Sequence, residues 1–185
     1  MKKRRCKYHK EYYPMDEMLK TNAGWFKDYD AMAKFGLEKA RKDKVKKDKK
    51  AHTEKKRKLK DEDRSFQLKK TQQIFNAYIR LRDDKQPCIS CGRFHSGQYH
   101  AGHYLTVGAN PELRFDPENC HKQCSACNNH LSGNLVNYRV SLIHKIGIEK
   151  VESLEGHHPP KRYTIDNLKT LQKWYKRKIR RLENA

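Results

Sequence analysis

The chain has 185 residues and a formal net charge of +21, from 43 Lys+Arg against 22 Asp+Glu. That length holds one ordinary domain plus an appendage, and no apolar run approaches the ~20 residues of a membrane-spanning helix. The charge imbalance costs self-repulsion in the free protein and points to a polyanionic partner, nucleic acid above all; membrane binding is not expected, because no spanning run and no signal peptide are present.

Residues 1–30 form an N-terminal segment with no hydrophobic stretch behind its basic start, so no secretion signal is expected. Cys6-Lys7-Tyr8-His9 has the spacing of half a zinc site, but no second cysteine pair follows nearby. Tyr12, Tyr13, Trp25, Phe26 and Tyr29 are expected to pack as core. Residues 31–70 are dominated by charge: Lys34 to Lys70 holds 17 basic and 7 acidic residues, no proline and one glycine. These residue types favour helix, yet Val45 to Leu59 has almost no apolar stripe to bury. The expectation is a long basic helical arm; a disordered arm that orders on nucleic acid is the other state that fits. Lys46, Lys47, Lys49, Lys50, Lys55, Lys56, Arg57 and Lys58 would meet phosphates there, salt-sensitively and without base preference.

Phe66, Ile74, Phe75, Tyr78, Ile79 and Leu81 then fall at amphipathic spacing, predicting a helix over 65–84 that ends at Gln86-Pro87. Glycines and prolines between 88 and 133 predict loops and short strands, one from Tyr99 to Val107 and another from Glu118 to Lys122. From Asn128 onward a helix is expected, with Leu135, Tyr138, Leu142, Ile143 and Ile146 as its apolar face and Gly147 as its end. The last segment, 149–185, carries a helix capped by Thr164 or Asp166. Its buried stripe is Ile165, Leu168, Leu171, Tyr175, Ile179 and Leu182, and Lys173, Lys176, Arg177 and Arg180 make a basic outer surface.

The chemistry concentrates in residues 71–148. Cys88-Ile89-Ser90-Cys91 and Cys124-Ser125-Ala126-Cys127 are two CxxC pairs separated by 32 residues. Without a secretion signal, six cysteines read as metal ligands in a reducing, intracellular setting rather than as disulfides. Cys88, Cys91, Cys124 and Cys127 suit a tetrahedral structural zinc, Zn²⁺, that would pin a region with little apolar core. Cys120 and His95 are competing ligands, with Cys120 more simply a small buried side chain. Between the pairs stands His103, whose neutral imidazole can take a proton from water near neutral pH. A carbonyl or amide must hold that ring in one tautomer, and Asn119 could do so across a two-stranded hairpin. Attack on a phosphodiester also calls for a cation, Mg²⁺ or Mn²⁺, and Asn128 is placed to contribute a ligand.

Glu118 to Asn128 resembles the second strand, zinc pair and helix start of the HNH, or ββα-metal, endonucleases. Asn119 matches the middle asparagine, and Asn128 replaces the last histidine as in the phage endonuclease VII group. Phe75 to Asp83, Pro87 to Gly92 and Ala101-Gly102-His103-Tyr104 resemble the signature of the phage NinG family, the Rap recombination proteins of lambdoid phages. The resemblance covers about residues 66–148. It implies an α+β fold: a zinc-stabilised ββα-metal (HNH-like) nuclease core flanked by helices, with a long basic N-terminal helical arm. It also implies a phage-encoded endonuclease of the host cytoplasm that cuts branched DNA, Holliday junctions and D-loops among it.

Many HNH enzymes carry a metal ligand just before the general base, where this chain has Gly102. The cation therefore needs another ligand, with His100 the first candidate, provided a bulge at Gly102 turns it toward His103. His121 and Glu118 follow. Symmetric cutting of a four-way junction predicts a homodimer. The competing expectations are a non-catalytic zinc-finger nucleic-acid-binding protein and an RNA-associated basic protein.

Overall fold

The computed structural model describes residues 2–184 of the chain, which form two compact units divided between residues 59 and 60. In the first unit, β1 (Lys3–Arg5) pairs antiparallel with β2 (Tyr12–Pro14), and β3 (Leu19–Thr21) with β4 (Gly24–Phe26). Cys6, Met18 and Ala31 form a small core with Tyr8, Tyr13 and Trp25 around it. The aromatics thus pack much as the sequence suggests, although Tyr12 and Tyr29 stay exposed.

Helix α1 (Tyr29–Glu62) has 34 residues and one buried residue, Ala31. Its helix-forming composition and the spaced ion pairs Asp30–Lys34, Glu38–Lys42 and Glu54–Arg57 support it where packing does not. The helix stops earlier than residue 70. Asp63 leaves helical geometry, and its carboxylate accepts the Ser65 and Phe66 N–H groups as the N-cap of α2 (Arg64–Arg82).

The second unit is layered around a two-stranded hairpin. Strand β5 (Tyr99–His103) pairs antiparallel with β6 (Cys120–Cys124). One hairpin face packs on α2 and α5 (Ile165–Glu183) through Phe75, Tyr78, Ile79, Phe115, Cys120, Leu168 and Tyr175. The opposite face meets α3 (Leu135–Ile146), where Tyr138 donates its hydroxyl to the Gly102 carbonyl at 3.0 Å. Behind α3 lies α4 (Ile148–Glu155), a helix the hydrophobic pattern did not reveal; its Val151 and Leu154 join Tyr138 and Leu142 in a second core. Thr164 caps α5 in a reciprocal capping box with Asn167, as its sequence position foretells.

Strand β6 runs Cys120–Cys124 rather than Glu118 to Lys122, and two further elements differ from the expected boundaries for physical reasons. The first strand ends at His103 rather than Val107, because the Asn119 amide takes over the Leu105 backbone: Leu105 N–H donates to Asn119 Oδ1 (2.8 Å) and Asn119 Nδ2 donates to Leu105 O (3.0 Å). No α-helix starts at Asn128. Ala126–His130 is a π-helical turn, and Ser132 and Asn134 take positive φ (47° and 46°), so α3 begins only at Leu135. Among the described residues no helix is long and apolar enough to cross a membrane.

Asp83 ties the layers together at the end of α2. Its carboxylate accepts from Arg82 (2.8 and 2.7 Å), from Lys145 of α3 (3.3 Å) and from the Lys122 N–H of β6 (3.1 Å).

Candidate functional site

The Sγ atoms of Cys88, Cys91, Cys124 and Cys127 all lie within 4.8 Å of one another. Tetrahedral zinc with Zn–S bonds of about 2.3 Å would hold its sulfurs about 3.8 Å apart, so the donor set and its spacing fit that ion. The surrounding donors fit thiolates too: Cys124 N–H points to Cys88 Sγ (3.3 Å), Cys127 N–H to Cys124 Sγ (3.5 Å) and Asn134 Nδ2 to Cys127 Sγ (3.7 Å). Burial opposes ionisation of Cys88, but backbone N–H groups of Cys124, Cys91 and Ser90 outweigh it and pull that thiol down. Burial lifts Cys127 to about 12, with neighbouring cysteines adding to the rise; a cation among the four sulfurs would relieve that repulsion. No disulfide forms among the six cysteines. Cys120, the first residue of β6, is wholly buried in the core shared with α2 and α5, its thiol driven far up by desolvation, and it takes no part. His95 is a hydrogen-bond neighbour of Cys91 Sγ (3.3 Å) on the rim.

The register places Tyr99, Ala101 and His103 on one face of β5 and His100 and Gly102 on the other. The His103 ring lies against Phe75, centroids 6.0 Å apart, and its Nε2 is 2.9 Å from the Arg114 carbonyl. A carbonyl can only accept, so Nε2 carries the proton and Nδ1 keeps the lone pair. Burial and the Arg114 charge lower the ring's pKa against that hydrogen bond, which leaves His103 neutral near pH 7.

Asn119 does not touch this ring, contrary to the expected role. Its amide is fully buried and braces the loop between the strands, with Nδ2 also near Leu113 O (3.4 Å). That loop delivers the Arg114 carbonyl, so Asn119 acts on His103 through the backbone it holds. Arg114 itself went unnoticed in the sequence, because a carbonyl contact leaves no side-chain signature.

The expected bulge at Gly102 is absent. The ladder runs unbroken from Tyr99↔Cys124 to His103↔Cys120, so His100 and His103 stay on opposite faces and do not share a cation. A Cβ at Gly102 would sit 2.1 Å from Gln123 Oε1, so Gln123 occupies the space a ligand side chain would need. Gln123 is anchored there by Nε2 bonds to Ser90 Oγ (2.6 Å) and Gly133 O (2.5 Å). His100 Nε2 is buried without a partner. His121 and Glu118 line a cleft of about 510 Å³ together with Arg82 and Lys145, cations that oppose a divalent ion. His121 is moreover buried, its pKa pushed down to about 3 by desolvation and those cations, and Glu118 is paired with Lys150. Asn128 sits in the π-helical turn directly after Cys127, its Nδ2 donating to Asn129 Oδ1 (2.6 Å). The remaining named cations, Lys46, Lys47, Lys49, Lys50, Lys55, Lys56, Arg57 and Lys58 on α1 and Lys173, Lys176, Arg177 and Arg180 on α5, are all exposed.

The family model described as "Bacteriophage Lambda NinG protein" matches residues 1–185. Among curated relatives, the ninG protein of Escherichia phage lambda is 50% identical over 129 residues, covering 70% of this chain and 63% of that protein. The ninG proteins of Escherichia phage 933W and Salmonella phage P22 are each 49% identical over 129 residues, covering 70% of this chain and 64% of theirs. The matched stretch thus spans less than two thirds of these relatives' length. No solved structure matches the chain significantly. Matched along its whole length by the family model and sharing half its residues with these phage proteins over the aligned stretch, the chain belongs to the NinG family.

Proposed function

We propose that this protein is a structure-specific endonuclease of the HNH, ββα-metal kind, cutting branched DNA recombination intermediates such as Holliday junctions and D-loops. One observation carries the reading: the Arg114 carbonyl takes the His103 Nε2–H at 2.9 Å and leaves Nδ1 to accept a proton, in a site where burial favours the neutral ring. That is the state a general base needs for activating water against a phosphodiester. The Arg114 carbonyl would go on holding the Nε2–H as the ring becomes imidazolium, which lowers the cost of the positive charge. Zinc on the four cysteines would fix the turn carrying Asn128 against the hairpin carrying His103. Bound Mg²⁺ or Mn²⁺ would offset charge on the phosphate and leaving oxygen. Asn128 is the ligand proposed for it. His100 lies on the face away from His103 and would not share that cation.

The exposed lysines and arginines of α1 and α5 would hold phosphates without reading bases. Two such sites in a homodimer would suit a symmetric four-way junction. The deciding experiment is cleavage of a synthetic four-way junction against a linear duplex of equal length, with and without Mg²⁺, using wild type and His103→Ala. Metal-dependent, junction-selective cutting lost in His103→Ala supports the reading. Tight junction binding without cutting by the wild type leaves a zinc-dependent DNA-binding protein instead.

A further inference from the structure

Arg114 contributes more than its carbonyl. Its guanidinium donates to Gln72 Oε1 (3.3 Å) on α2, and Gln72 Nε2 donates to Asn76 Oδ1 (2.8 Å), which fixes the end of the amide that Arg114 meets. Gln72 and Phe75 are about one turn apart on α2, so this guanidinium is tethered beside the patch where the His103 ring rests, about 5 Å along the helix. A guanidinium has five N–H donors, and Gln72 engages one.

Neither Arg114 nor Arg64 has a carboxylate within ion-pair distance among the described residues. The other half-buried arginines of this unit do: Arg82 pairs with Asp83, and Arg139 with Glu155, while the remaining arginines are exposed. Arg64, half-buried at the start of α2, donates Nε to the Tyr163 carbonyl (2.8 Å), and the Tyr163 ring packs on Phe115, the residue after Arg114 (centroids 5.0 Å), so both arginines border the same tyrosine. Partial burial disfavours the charge of Arg114; Tyr163 offsets part of that, and the Arg64 charge adds a smaller push the same way as burial. Two uncompensated, half-buried cations are costly alone and favourable around an anion. We infer that Arg114, with Arg64, forms a phosphate clamp beside His103. The clamp deepens the proposed nuclease reading, because its ligand there is the scissile phosphodiester. It supplies positive charge on the His103 face of the hairpin, where neither Gly102 nor His100 can bring a cation.

The test uses inorganic phosphate on the full chain. His103 is followed by ring-proton NMR at constant ionic strength, its signal assigned by its loss in His103→Gln. In the wild type, phosphate shifts the His103 signal saturably and raises its titration midpoint, while chloride does neither. Arg114→Ala and Arg64→Ala each weaken phosphate binding about tenfold, as loss of a charged hydrogen bond should. Arg114→Lys falls between, keeping the charge and losing the fork. Every Arg114 variant keeps the carbonyl that holds His103, and bound zinc and urea unfolding verify the fold; Arg64→Ala carries the test if Arg114→Ala unfolds. An unchanged His103 signal in the wild type, or an equal response in a folded Arg114→Ala/Arg64→Ala double variant, overturns the clamp. Junction cleavage separates the two ideas. Phosphate binding without cutting by the wild type removes the nuclease and leaves the clamp. Cutting that is unchanged in Arg114→Ala, with no phosphate response, removes the clamp alone.

Discussion

His103 is held by the Arg114 backbone carbonyl, 2.9 Å from its Nε2, and not by any side chain. This relationship fixes a tautomer and has a pH consequence. Burial, with the Arg114 charge adding to it, lowers the ring's pKa below the ordinary 6.5. If His103 is the base of the proposed nuclease, cleavage should therefore rise with pH through a midpoint below 6.5 and stay level through neutral pH, since only the neutral ring accepts a proton. The same shift affects stability: a histidine depressed in the fold favours folding above its unfolded pKa, and that contribution is lost as pH falls through the folded value. A single-turnover pH–rate profile checks the first statement; a midpoint above 6.5 would contradict it. His103→Ala should leave junction affinity nearly unchanged while cleavage disappears.

Asn119 should behave as a structural brace. Asn119→Ala strands the Leu105 N–H and the Leu105 and Leu113 carbonyls in a buried loop. The cost should be on the order of 3 kcal/mol in urea unfolding. Asn119→Asp should be no better, because it replaces the Nδ2 donor with an oxygen facing two carbonyls. If either variant keeps wild-type stability and only the His103 midpoint moves, Asn119 orients the ring after all.

Much of this arrangement was legible in the sequence. CxxC spacing is a local pattern, and the four sulfurs converge as the spacing suggests. Thr164 and the apolar stripe of α5 likewise carry local signals. The orienting group of His103 does not, because backbone carbonyls are identical at every residue and only the loop path selects the one at Arg114. The placing of His100 failed on register: an unbroken two-residue alternation keeps it from His103, and nothing local announces whether a glycine will bulge. The helix expected from Asn128 failed for a third reason. Cys124 and Cys127 must both face the sulfur cluster, and the chain between Ala126 and Asn134 bends into a π-turn and positive-φ residues to allow it.

Gly102 is required by its neighbour. Gly102→Ala would put a Cβ 2.1 Å from Gln123 Oε1, and Gln123 cannot move without losing Ser90 and Gly133. A destabilisation of about 1–3 kcal/mol is expected. Gly102→Asp, which would set a carboxylate directly before His103, should lower stability rather than create a cation site. A Gly102→Ala/Gln123→Ala double variant should recover part of the loss, a coupling that a double-mutant cycle measures.

The zinc frame predicts a sharper loss. Cys124→Ser removes one of four sulfurs from the end of β6, where the hairpin enters the π-turn. Bound zinc should fall below one per chain, and the cooperative unfolding of residues 60–185 should weaken or vanish, since binding energy at such a site is folding energy. Chelation of the wild type should do the same. A cooperative fold with one zinc retained in Cys124→Ser would show that the ligands lie elsewhere.

Acid should loosen the layers at Asp83. Burial works to raise this carboxyl, but Arg82, then Lys145 and the Lys122 N–H, hold it down to about 2 from an ordinary 3.8. The two partners respond unequally: Arg82 is raised, whereas burial outweighs Asp83 and lowers Lys145, so the Arg82 pairing is the stronger support. A depressed carboxylate contributes stability that is present above the unfolded pKa and lost as pH falls toward the folded one. The window is therefore from about pH 4 down to about pH 2, and the amount about 2 kcal/mol. Asp83→Asn should remove that acid-dependent part and also leave Arg82 and Lys145 without their anion. Urea midpoints at pH 7 and pH 3 check this: the variant should be less stable than wild type at pH 7, and the gap should narrow at pH 3. An equal gap at both values would mean that Asp83 supports the fold as a neutral hydrogen-bonding group and not through its charge.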